Sequence, residues 1–290
     1  MPQSLADITR PIKRLIIRSP NWIGDAIMAT PAVRATARMF PETHITILAK
    51  PWVAPVFAHN PHVDEIVAFD NKGSHKSISG RLRLARQLRR DAYDGAILLP
   101  NAIDAALIFQ AARIPVRCGY DTDFRRPLLT HPVRCTLTTK RLHQVRYYLN
   151  LLDALGVPAH GDQLELVTGD EARRQARAAL SVHRFDSTEK LLGINPGAAY
   201  GTAKRWHAAR FAQVADRIQR DYGLRVVIFG SAGEHLVAAE LARKMRTQAT
   251  NLGGRTSLDE AMALIEQFRL FITNDSGLMH VAAALDVPLV

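Results

Sequence analysis

Short runs of aliphatic and β-branched residues alternate with longer stretches at helical spacing along nearly the whole chain, and this alternation constrains its fold most. A strand followed by a helix of that length returns beside and parallel to the first, so the pattern calls for parallel sheets covered by helices on both faces. Strands are predicted over 13–19, 43–49, 65–69 and 93–100, with helices over 30–40, 78–91 and 101–112. A helix over 140–156 ends at Gly156-Val157-Pro158, a terminal glycine with a proline stop. Residues 159–168 have no clear period and read as a linker. Beyond them the alternation restarts, with strands over 191–195, 225–230 and 270–273 and helices over 170–181, 207–222, 233–246, 257–267 and 276–285. The expected fold is α/β: two Rossmann-like, doubly wound domains, 1–160 and 169–290, facing across a cleft. Residues 287–290 read as the first half of a buried strand, so further chain is expected past Val290.

With 47% hydrophobic and 22% charged residues, the composition supports a real core and excludes a disordered or collagen-like chain. No apolar run approaches the roughly 18 residues that span a bilayer. The N-terminus lacks the basic-then-apolar pattern of a secretion signal. Cys118 and Cys135 are too few for a disulfide framework or a zinc site, and are expected as buried thiols in a reducing cytoplasm. The net charge of +11 favours acidic partners. Residues 1–168 carry most of it, with 22 basic and 14 acidic side chains against 16 and 13 in 169–290. Lys72, Lys76, Arg81, Arg83, Arg86, Arg89 and Arg90 follow one another without an intervening acid. Nucleic acid, an anionic membrane or a phosphorylated small molecule fit that charge. No zinc finger, helix-turn-helix or ribonucleoprotein aromatic pattern supports nucleic acid as a partner.

Three segments carry candidate chemistry. Arg18 closes the first strand and Asn21-Trp22-Ile23-Gly24-Asp25 follows it, where an open α/β sheet places its ligand crevice. Asp25 is either a helix cap or, if the regular helix starts at Thr30-Pro31, a carboxylate facing the crevice. In the second half a small-residue loop runs from Asn195 and Gly197 to Ala203-Lys204-Arg205-Trp206. It is neither a Walker loop nor GxGxxG, so a dehydrogenase is weakened as a reading, but its N–H groups and two cations suit a diphosphate. Asn274-Asp275-Ser276-Gly277-Leu278-Met279-His280 then leaves a strand and opens a helix, with Ser276, Gly277 and His280 able to address one anion. For each segment the alternative is a solvated connection or an ordinary capped helix.

Together these motifs resemble the ADP-heptose:lipopolysaccharide heptosyltransferases, in particular the inner-core type II branch, over nearly the whole chain. The resemblance implies a GT-B fold with an N-terminal acceptor domain and a C-terminal nucleotide-sugar domain. It also implies further chain that returns a helix to the first domain. It makes Asp25 the general base of an inverting transfer and Lys204 a catalytic cation. Asn195, Gly197, Lys204, Glu234, Thr256, Asp275, Ser276, Gly277 and His280 become donor-binding candidates, and Arg18, Asn21 and Trp22 lie on the acceptor side. Glu234 would accept the ribose hydroxyls, or else cap a helix. ADP-L-glycero-D-manno-heptose is the implied donor substrate, with no resident cofactor or metal. The implied acceptor is the first heptose of a lipid-linked inner core; Kdo–lipid A and other core sugars are the alternatives. Such an enzyme is expected in the cytoplasm, peripherally attached by residues 72–90 to the anionic inner face of the inner membrane.

Overall fold

The computed structural model describes residues 5, 11–182, 190–198 and 202–290. Packing divides the chain into two units, Met1–Glu165 and Leu166–Val290. The first contains β1 (Arg14–Arg18), α1 (Ile23–Met28), α2 (Thr30–Met39), β2 (His44–Ala49), β3 (Glu65–Ala68), α3 (Ile78–Arg90) and β4 (Gly95–Leu98). It continues with α4 (Ile103–Ala111), β5 (Val116–Tyr120), β6 (His131–Val133), α5 (Leu137–Lys140) and α6 (Gln144–Asp153). The six strands pair in parallel in the order β3-β2-β1-β4-β5-β6. Chain direction across the sheet reverses between β1 and β4, and a ligand crevice opens at such a point, beyond the strands' carboxyl ends.

The strands are apolar because both faces are covered. Ile16, Leu48, Phe69, Ala96 and Leu98 pack with Leu84, Leu88 and Phe109 in one core cluster. Leu84 and Leu88 lie one turn apart on α3, which turns that stripe inward and leaves Arg83, Arg86, Arg89 and Arg90 exposed. Ser77 caps α3 by accepting a hydrogen bond from the Gly80 amide at 3.1 Å. Gly80 itself passes so close to the Ser74 carbonyl that a Cβ would meet it at 2.3 Å.

Several elements depart from expectation. A regular helix, α1, already starts at Ile23, and Ala29 separates it from α2. Thr30 therefore caps nothing: its hydroxyl donates to the Ile27 carbonyl at 2.8 Å and accepts from the Glu165 amide at 3.0 Å. The helix expected over 140–156 is two, because Thr136 caps a separate turn, α5. Cys118 is buried as expected, whereas Cys135 is only half-buried, in the β6–α5 connection.

The second unit contains α7 (Asp170–Val182), β7 (Leu191–Asn195), α8 (Ala208–Tyr222), β8 (Arg225–Ile228) and α9 (His235–Lys244). β9 (Ala249–Asn251), α10 (Leu258–Ile265), β10 (Leu270–Thr273) and α11 (Gly277–Ala284) complete it. Its parallel sheet has the order β10-β7-β8-β9, with its own switch point between β7 and β10. Residues 287–290 run along β10 as the sequence suggests, with Thr273 donating to the Val290 carbonyl and Val290 to that of Phe271, both at 3.0 Å. Gly193 in β7 lies against the Phe268 and Phe271 rings, where a Cβ would come within about 2.5 Å of either.

Candidate functional site

In the first unit, β1 delivers Arg18 to the switch point fully buried. Its guanidinium donates to the carbonyls of Ser19 at 2.6 Å and Leu48 at 3.1 Å, and to Asn21 Oδ1 at 2.6 Å. It also lies 5.2 Å from the Phe69 ring centre. Burial pushes the guanidinium down to about 10, against the opposing pull of Asp104. Arg18, placed on the acceptor side by the sequence, thus ties the loop at 19–21 to β2 through its two terminal nitrogens, while its buried Nε has no hydrogen-bond partner among the described residues. Trp22 takes the N-cap position of α1 without a capping side chain and is half-exposed. Asp25 stands in the first turn of α1, half-buried, where the helix dipole favours a carboxylate. Burial and the nearby Asp25 carboxylate both push the Tyr148 phenol of α6 up, which puts α6 beside this turn.

Sequence reasoning missed Lys50, Trp52 and Asp104 around that loop, and read Lys72 only as one of the basic residues of 72–90. The Trp52 indole donates to the Asn21 carbonyl at 3.0 Å. Lys50 and Lys72 each hold an ammonium 5.0 Å from the Trp52 ring centre. Asp104, in the first turn of α4, acts electrostatically on both Arg18 and Lys50. The available signal was position, since Lys50 follows β2 and Asp104 lies soon after β4, both at carboxyl ends of strands.

In the second unit, the sheet brings the loops after β7, β8 and β10 together. Asn195 Nδ2 donates to Ser276 Oγ at 3.0 Å and to Thr273 Oγ1 at 3.4 Å. Its buried Oδ1 has no hydrogen-bond partner among the described residues. Asn274 joins two loops: Nδ2 donates to the Pro196 carbonyl at 2.8 Å, and Oδ1 accepts from the Trp206 amide at 3.1 Å. Lys204 Nζ meets Asp275 Oδ2 at 2.5 Å in an exposed pair. Such pairs contribute about 0–1 kcal/mol, so a more highly charged anion can displace the carboxylate. Ser276 caps α11, leaving the amides of Gly277 and Leu278 as its first two, which have no carbonyl one turn back. His280 lies one turn further on, half-buried.

Glu234 caps the turn that opens at Ser231. Its Oε2 accepts from the Ser231 amide at 2.9 Å and hydroxyl at 2.6 Å. Its Oε1 faces Gly197 so closely that a Cβ there would meet it at 2.1 Å unless the carboxylate moved. Thr256 is half-buried in the turn before α10 and makes no side-chain hydrogen bond among the described residues. Ala199, Tyr200 and Gly201, the middle of the small-residue loop, lie outside the described residues. Among the described residues no group of three or more His, Cys, Asp or Glu side chains is arranged to hold a metal ion.

Residues 81–290 match the family model of glycosyltransferase family 9 (heptosyltransferase). Over 96% of its length the chain is 33% identical to lipopolysaccharide heptosyltransferase 2 of Escherichia coli K12, covering 81% of that protein. The crystal structure of a family 9 glycosyl transferase from Veillonella parvula superposes with a TM-score of 0.88 at 31% identity, over 96% of this chain and 80% of that one. The structure of E. coli ADP-heptose lps heptosyltransferase II gives 0.81 at 31% identity, over 96% and 83%. A shared family model, one-third identity and superposition along nearly the whole chain agree with the two parallel sheets and their switch-point loops: the chain belongs to glycosyltransferase family 9, the heptosyltransferases.

Proposed function

We propose that the protein transfers heptose, with inversion, from ADP-L-glycero-D-manno-heptose to the first inner-core heptose of lipopolysaccharide. The β7/β10 switch point of a family 9 chain carries this reading: a lysine, two leading helix amides and a buried asparagine carbonyl converge there in a setting suited to a nucleoside diphosphate. The type 2 assignment is supported by relatives of that name from Escherichia coli and Haemophilus ducreyi at 33% and 31% identity, although Campylobacter jejuni relatives of the same name match at 26–27%, no more than the 27% of an E. coli lipopolysaccharide heptosyltransferase 3.

In the proposed reaction the acceptor oxygen bonds to the donor sugar carbon from the face opposite the diphosphate, Asp25 takes the hydroxyl proton, and the bond between that carbon and the diphosphate oxygen breaks to release ADP. An ordinary aspartate is a weak base, so it acts as the electron-poor sugar carbon makes the hydroxyl acidic, a contribution of about 10²–10⁴-fold. The diphosphate leaves with growing negative charge, which Lys204 and the Gly277 and Leu278 amides are placed to receive once Lys204 exchanges Asp275 for phosphate. ADP-heptose is treated as a substrate, with no resident cofactor. Asp25→Asn is nearly isosteric and is expected to lower kcat by about 10²-fold or more with donor affinity retained, as read by transfer assay and calorimetry. Wild-type turnover in that variant would leave Asp25 a first-turn helix residue and no more.

We further propose that the first unit works at the anionic inner face of the inner membrane. No helix among the described residues is long and apolar enough to cross a bilayer. The exposed arginines of α3 stand with exposed Ile78 and Leu82, and α4 beside it exposes Ile103 and Leu107. A groove of about 300 Å³ lined by His75, Arg83, Arg86 and Arg90 runs along the same helix.

A further inference from the structure

Lys50, Trp52 and Lys72 form a grouping that heptose transfer as described above does not use. Two ammoniums approach one indole, each 5.0 Å from its centre. Like charges gathered this way repel, and the Lys50 ammonium shows it: burial, Arg18 and Lys72 all disfavour its charged form, with only Asp104 opposing. Attraction between a cation and an indole face offsets part of that repulsion. Among the described residues neither lysine lies within ion-pair distance of a carboxylate. The grouping is therefore a concentration of positive charge that an incoming anion would complete.

Its location gives the charge a use. The Trp52 indole N–H is bonded to the Asn21 carbonyl, and Asn21 is held in turn by buried Arg18. Asp25 follows four residues later on the same loop and helix start. An anion held between the lysines would sit at the switch-point end of the sheet that presents Asp25, and lysine serves there as a point charge that accepts either a carboxylate or a phosphate.

We propose that Lys50, Trp52 and Lys72 make up an anion clamp that binds a carboxylate or phosphate of the sugar acceptor and so sets which acceptors reach Asp25. The proposal rests on the heptose-transfer reading for the identity of the acceptor. Its test uses the full chain, ADP-heptose and one inner-core oligosaccharide in three forms: native, with phosphates removed, and with sugar carboxylates reduced to alcohols. Lys50→Met with Lys72→Met is expected to raise KM for the native acceptor at least tenfold, while KM for ADP-heptose, whose site is in the other unit, stays within twofold. Lys50→Arg with Lys72→Arg is expected to restore most of the loss. The acceptor form lacking the clamped anion will show the raised KM with the wild-type protein and no further penalty with the double methionine variant, which tells phosphate from carboxylate. Equal penalties on all three forms, or an unchanged KM for the native one, would overturn the clamp. Calorimetric binding of the native oligosaccharide without donor separates the two readings. Binding by the wild-type protein without turnover defeats the transferase reading, and tenfold weaker binding by the double variant then still upholds the clamp. Equal binding by both defeats the clamp whatever the turnover.

Discussion

Lys204 and Arg18 show how differently one positive charge is used in the two units. Arg18 is buried and bonded to two backbone carbonyls and an asparagine, so it is part of the frame. Lys204 is half-exposed, and its partner among the described residues, Asp275, is also exposed. Exchange of that partner for a diphosphate costs little, and Lys204→Ala is expected to weaken ADP and ADP-heptose alike by about 1–3 kcal/mol, the range for a charge-assisted contact. Calorimetry with both ligands reads this directly, and equal affinity for ADP in variant and wild type would remove Lys204 from the diphosphate site. His280→Ala should have the smaller effect, because His280 follows the leading amides of α11 within the helix and stands outside its exposed first positions.

Among the elements, α8 carries a local device that makes the second unit sensitive to acid. Its Asp216 is buried and accepts from the amides of Arg246 and Thr247 and from the Thr247 hydroxyl, fixing the turn into β9. Burial alone would raise this carboxyl, but those hydrogen bonds prevail and hold it below its ordinary 3.8. A carboxyl lowered by folding stabilises the protein above its unfolded value and loses that contribution as pH falls through the folded one. Asp216→Asn is expected to cost about 1–3 kcal/mol near neutrality, since an amide turns N–H donors toward N–H donors. In urea melts the gap should narrow below pH 3.8; a constant gap from neutrality into acid would show that the charge contributes nothing. Nothing in the sequence marked Asp216, because its partners lie some thirty residues away. The long apolar strands were legible, since a run such as Leu15-Ile16-Ile17 suits only a covered sheet. β5 and β6 were not: one carries arginine and two small residues, the other has three residues and a proline. β9, also three residues long, escaped for the same reason. Of the candidate site, motif residues were legible where several stand together, whereas Lys50, Trp52 and Asp104 meet only through the strand order.

For the molecule as a whole, charge is what the proposed membrane attachment depends on. The net of +11 lies mostly in the first 168 residues, and seven of those cations fall in 72–90. Basic groups near an anionic leaflet each contribute about 1 kcal/mol of attraction. Reversing Arg83, Arg86 and Arg90 to glutamate is expected to reduce co-sedimentation with anionic vesicles severalfold and to slow transfer to lipid-linked acceptor, with ADP-heptose affinity constant. The measurement belongs at low salt, where surface charges are least screened. Unchanged sedimentation there would make α3 an ordinary solvated helix.

Asn274 has a consequence for engineering. One side chain at the end of β10 holds the carbonyl of Pro196 and the amide of Trp206, the two shoulders of the loop between β7 and α8. A loop pinned at its shoulders from a neighbouring strand does not have to encode its own path. Its remaining positions can therefore be rewritten to recognise another nucleotide sugar, provided that Gly197, Lys204 and the asparagine that anchors the loop are left in place.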